Sequence, residues 1–185
     1  MDTIENFTTK FLSYKTGIIF LFTLLITFSW HSSINPTSDY ITAIVNLAGQ
    51  IGIISWLYAV ASKSNKVLIK KGQELKLFRN FQINFLILIL TFILLFILSF
   101  INPATLATKS DFERGEAFTY KRILLLLGAT LIIAGILAWR GAAKLLVSAE
   151  NGKEQSFEHY YKTLLLLIFS WIGVWFIHPR AQTLK

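Results

Sequence analysis

The sequence predicts an all-α, polytopic transmembrane helical bundle. Three observations carry this. First, the 185 residues are 54% hydrophobic and only 15% charged, with a mean hydropathy of +0.57, against roughly 25% charged residues in an ordinary soluble domain. A single soluble core of this length cannot hide so much apolar surface, so a membrane has to serve as part of the solvent. Second, the charges fall in clusters separated by long gaps: 16–38, 40–62, 80–108, 123–139 and 163–179 carry none. Third, each gap reaches the roughly 17 residues that a helix needs to cross about 30 Å of hydrocarbon.

Five spans follow, at about 11–30, 40–62, 81–101, 121–140 and 162–178, with short cytoplasmic helical extensions; the whole chain, 1–185, reads as a single transmembrane domain. The first span requires Lys15 to snorkel to the headgroups. It reads as an uncleaved span, because Ser29-Trp30-His31 is not a small-x-small cleavage site. The second contains a stripe of small residues, Ala48, Gly52, Ser55, Ala59 and Ser62, at spacings that place them along one seam where two helices can approach closely. Asn46 and Gln50 lie four apart beside it, as interhelical hydrogen-bonding groups or as the polar lining of a pore. The third is Leu, Ile and Phe from Phe85 to Leu98 apart from Thr91, and it has no Gly or Ala between 81 and 101. It is therefore expected at the lipid-exposed periphery, with the second and fourth spans at the centre. Gly128 and Gly135 give the fourth a packing seam of its own. The fifth is short, with 17 uncharged residues between Lys162 and Arg180, so a count of four spans is the alternative. Pro103 and Pro179 are expected just past helix ends, and Trp139, Tyr160 and Tyr161 at the inner headgroup level.

Orientation follows from Lys and Arg. With the N-terminus inside, five spans put twelve basic residues on the cytoplasmic side and six outside. The C-terminus is then outside, where Arg180 and Lys185 oppose the trend. The net charge of +8 is concentrated at 63–80, where Lys63, Lys66, Lys70, Lys71, Lys76 and Arg79 meet only Glu74. This loop reads as two helical extensions around a turn at Lys70-Lys71-Gly72. With Arg140 and Lys144 it forms a candidate docking face for anionic lipid or an acidic cytosolic protein. Direct nucleic-acid binding is disfavoured, because aromatic residues are sparse among the lysines. The segment 141–161 reads as a helical hairpin turning at Asn151-Gly152, with Arg140 and Lys144 on one arm and Glu154 and Glu158 on the other, either paired across the turn or standing as a solvated face. Outside, Ser110 and Glu113 fit a capping box.

No chemistry-bearing constellation is visible. Cysteine is absent, which excludes disulfides, thiolate metal sites and a Cys nucleophile. All 28 charged side chains lie outside the span cores, which argues against a proton relay. His31, His159 and His178 share no metal-ligand spacing. No catalysis, cofactor or metal is expected. Homo-oligomerisation is expected, because short helices make a thin bundle.

In length, near-total membrane burial and basic cytoplasmic face the chain resembles the membrane subunit of the Kiwa anti-phage system, at the level of architecture rather than motif. That resemblance implies a homo-oligomeric sensor in the bacterial inner membrane, with four spans and a cytosolic DNA-binding effector as partner. Immunity proteins against pore-forming colicins are similar on the same grounds. The functional expectation is a membrane sensor or anchor that docks a cytosolic partner. A small channel or transport subunit and a bacteriocin immunity protein are the alternatives.

Overall fold

The computed structural model describes residues 12–13, 39–73, 76–101 and 116–184. The expected first span, Pro103 and the Ser110 capping box lie outside them, apart from Leu12 and Ser13. Among the described residues the chain is all-helical, with five helices and no strand. These are α1 (Asp39–Lys70), α2 (Leu77–Ile101), α3 (Glu116–Asn151), α4 (Phe157–Ile168) and α5 (Ser170–Thr183). Two stretches, Leu77–Leu98 and Arg122–Asn151, are long and apolar enough to cross a membrane.

The extensions foreseen beyond the spans are present. Helix α1 runs 32 residues, through the uncharged window 40–62 and on to Lys70. It stops where Gly72 adopts φ +74°, the left-handed conformation that ends a helix. The Lys71 N–H bonds the Val67 and Leu68 carbonyls, and Gln73 N–H the Leu68 carbonyl, so the last turn is closed by backbone. Helix α3 runs 36 residues to Asn151. It ends at Gly152 with φ +69°.

The fifth span departs from expectation. Residues 162–178 do not form one helix. The chain breaks at Phe169 (φ −89°, ψ 56°) into α4 of 12 residues and α5 of 14 residues, and α5 folds back along α4. The fold-back is fixed by contacts far apart in sequence: Arg180 Nη1 donates to Thr163 Oγ1 at 3.1 Å, whereas a continuous helix would hold these residues about 25 Å apart. The turn requires Gly173, since a Cβ there would stand 1.7 Å from the Leu166 carbonyl oxygen. Pro179, expected beyond a helix end, lies inside α5. It costs that helix the hydrogen bond to the Trp175 carbonyl.

The chain divides into two compact units: residues 1–78 with 139–185, and residues 79–138. The first has a closed core in which Trp56, Leu57, Leu68, Leu145, Leu146, Leu167 and Ile177 are fully or almost fully buried. In the second, Phe81 and Phe85 stack with ring centroids 5.3 Å apart, and polar side chains bond their own helix, Asn84 Nδ2 to the Asn80 carbonyl and Thr130 Oγ1 to the Leu126 carbonyl. Its apolar side chains are mainly exposed, Leu86, Leu90 and Ile93 in α2 and Leu125, Leu126 and Ile132 in α3. The expected contrast between a peripheral third span and a central fourth is therefore not found over 122–133. Burial in α3 begins at Ala134 and becomes continuous only beyond Arg140.

Candidate basic docking face

In the first unit, the turns at Gly72 and Gly152 bring the basic residues of α1 and α3 toward one end. Lys71 Nζ donates to the Ala149 carbonyl at 2.7 Å, placing a cation on an orphan carbonyl at the α3 C-terminus, where the helix dipole favours positive charge. Lys144 pairs with Glu154 across the Gly152 turn, as the charge pattern of the two arms suggested. Arg140 Nε donates to the Tyr160 hydroxyl at 3.0 Å. Tyr160, expected among headgroups, is thus buried, with its hydroxyl satisfied inside the protein. Arg180 engages Glu150 through two parallel bonds, Nε to Oε1 at 2.8 Å and Nη2 to Oε2 at 2.6 Å, the strong bidentate geometry of a guanidinium on a carboxylate.

These contacts divide the eight proposed docking residues. Lys63 is committed, with Nζ donating to the Gln182 carbonyl at 2.8 Å, and burial holds its ammonium below the usual lysine range. Lys66 is half-buried and bonded. Lys71, Lys144 and Arg140 each hold a helix end or an arm. Lys70 and Lys76 are exposed, and Lys153 and Lys162, which the sequence did not single out, are exposed as well. Arg79 is exposed and belongs to the other unit. Two of the three carboxylates described here, Glu150 and Glu154, are occupied by Arg180 and Lys144, while Glu158 is exposed. The end therefore presents a net positive surface.

Sequence reasoning missed the link that ties α5 to α1. Buried Trp56 donates its indole N–H to His178 Nδ1 at 3.2 Å. The Gln182 amide lies 3.1 Å from His178 Nε2 and donates to the Leu12 carbonyl at 2.7 Å. Trp56 and His178 are 122 residues apart, and no local spacing signals their meeting. The small-residue stripe is split by the structure. Gly52, Ala59 and Ser62 are buried, Ser55 is half-buried and Ala48 is exposed. A Cβ on Gly135 would meet Leu88 Cδ1 at 3.7 Å, while Gly128 has open space beside it among the described residues. Gln50 is half-buried and bonded, and the Asn46 side chain lies outside the described residues.

No family model, curated protein or solved structure matches the chain.

Proposed function

We propose that this chain is a non-enzymatic integral protein of the bacterial inner membrane, an oligomeric sensor or anchor that docks an acidic cytosolic partner in anti-phage defence. Residues 11–30 and helices α1, α2 and α3 are its crossing segments, with the N-terminus in the cytoplasm. The observation that carries the docking role is the charge state of one end of the first unit. Glu150 and Glu154 are consumed by Arg180 and Lys144, so Lys70, Lys76, Lys153 and Lys162 present charge that the described carboxylates do not balance. Such a surface recruits an acidic partner by steering and register more than by buried area. Changes in helix packing along the seams would reach it through the turns at Gly72 and Gly152.

The test is charge reversal at Lys70, Lys76 and Lys153 together, which avoids Lys71 because that residue also caps α3. Affinity purification from the producing cells should then lose the cytosolic partner, while the solubilised protein keeps its elution volume. Co-purification that survives the triple reversal overturns the docking reading.

A further inference from the structure

We propose that α4 and α5 form a re-entrant hairpin, which enters the leaflet on the basic side, turns near the bilayer centre and leaves by the same face, covered by acyl chains of that leaflet. This rests on the membrane reading above and adds a path for the C-terminus.

Length is the first argument. Helices of 12 and 14 residues reach about 18 and 21 Å, too short to cross about 30 Å of hydrocarbon but enough to reach its middle. Charge is the second. Between Lys162 and Arg180 there is none, and Arg180 bonds Thr163, the neighbour of Lys162. Both charges therefore stand at the open end, and Arg180 is clamped there to Glu150 at the end of α3.

Surface is the third argument. Leu165, Phe169, Ile172, Trp175 and Phe176 are exposed, Phe169 at the tip to 54% and Phe176 to 57%. An aqueous protein does not gather such side chains at the end of a hairpin, whereas a leaflet solvates them. Backbone satisfaction is the fourth. Non-helical backbone is costly in hydrocarbon unless its polar groups are bonded. At the tip, Phe169 N–H bonds the Leu165 carbonyl, and the Phe169 carbonyl accepts from Ile172 and Gly173. Both backbone polar groups of the break residue are thus bonded within the chain.

With this path Arg180 and Lys185 join the cytoplasmic side, and the Lys and Arg count becomes fourteen inside against four outside. The basic tail that opposed the orientation rule then obeys it.

The chain has no cysteine, so single-cysteine variants report topology directly. Thr183→Cys should react with a membrane-impermeant maleimide from the same side as Lys153→Cys, and from the side opposite Ser110→Cys. A cysteine appended after Lys185 repeats the measurement without touching the fold. Labelling of the tail together with Ser110→Cys overturns the hairpin in favour of a crossing, while leaving the membrane reading intact. A protein released from membranes by alkaline carbonate overturns both. A spin label at Ile172→Cys should show high oxygen and low nickel-chelate accessibility at bilayer-centre depth. Headgroup depth overturns insertion, and shielding from oxygen, together with disulfide formation between protomers of the unlabelled variant, assigns the face to a second copy and overturns the lipid assignment.

Discussion

Gly173 sets a sharp steric demand. Alanine is ordinarily the better helix former by about 1 kcal/mol. Here its Cβ would fall 1.7 Å from a backbone oxygen and 2.5 Å from the carbonyl carbon of Leu166, and backbone cannot step aside as a flexible side chain can. Overpacking costs about 1–3 kcal/mol even where neighbours relax, so it outweighs the propensity gain. Gly173→Ala should lower the melting temperature in detergent, whereas Gly128→Ala, with open space beside it, should leave it unchanged or raise it. Equal effects at the two glycines would show that the fold-back is not held there. Trp56→Phe makes a second test. It keeps most of the ring but removes the donor to His178 Nδ1, and an unsatisfied buried acceptor costs about 1–3 kcal/mol. The same thermal scan should therefore show a loss, whereas Gln182→Ala, which removes only the contact at His178 Nε2 and the bond to the Leu12 carbonyl, leaves the Trp56 donor in place and should cost less.

At the scale of elements, the sequence was legible where the signal was local. Gly72 and Gly152 stop helices through their own backbone, and opposite charges on the two arms left the Lys144–Glu154 pair open beside a merely solvated face. The fold-back at Phe169 was not legible for a physical reason. An uncharged stretch of 17 residues has the same hydropathy whether it crosses once or turns halfway, because hydropathy carries no direction. The break residue is neither Gly nor Pro, and the required glycine sits four positions later. The candidate face was half legible: composition located its lysines, but which of them are spent on helix ends depends on tertiary neighbours such as Ala149 and Gln182. The Arg180–Glu150 clamp joins α5 to α3. It is partly exposed, with side-chain exposures of 34% and 28%, so solvent screens it and its coupling should be about 1 kcal/mol despite bidentate geometry. A double-mutant cycle with Arg180→Met and Glu150→Gln measures this by chemical denaturation in detergent. A coupling near zero would remove the clamp as a reason for the tail's position.

Over the whole molecule, the two units differ in what solvates their apolar side chains, and one substitution can read that difference. In the first unit Leu146 is wholly buried, as are Leu145 and Leu167. Truncation there deletes contacts and leaves a cavity that packed protein cannot fill, at a cost of about 2–5 kcal/mol. In the second unit Leu90 is 57% exposed. Acyl chains or detergent replace the lost contacts by flowing into the space, so no fixed cavity remains and the cost should stay below about 1 kcal/mol, near that of an ordinary surface change. The prediction is therefore an asymmetry: Leu146→Ala lowers the melting temperature strongly and Leu90→Ala hardly at all. The two sites are in separate units, so the double variant should lose the sum of the single losses. A large loss at Leu90 would mean that the exposed face of α2 is covered by protein in the assembled state. The same scan on the cross-linked oligomer and on dissociated protomers would then separate a second copy, whose removal abolishes the Leu90 effect, from tighter packing within one chain, which it leaves unchanged.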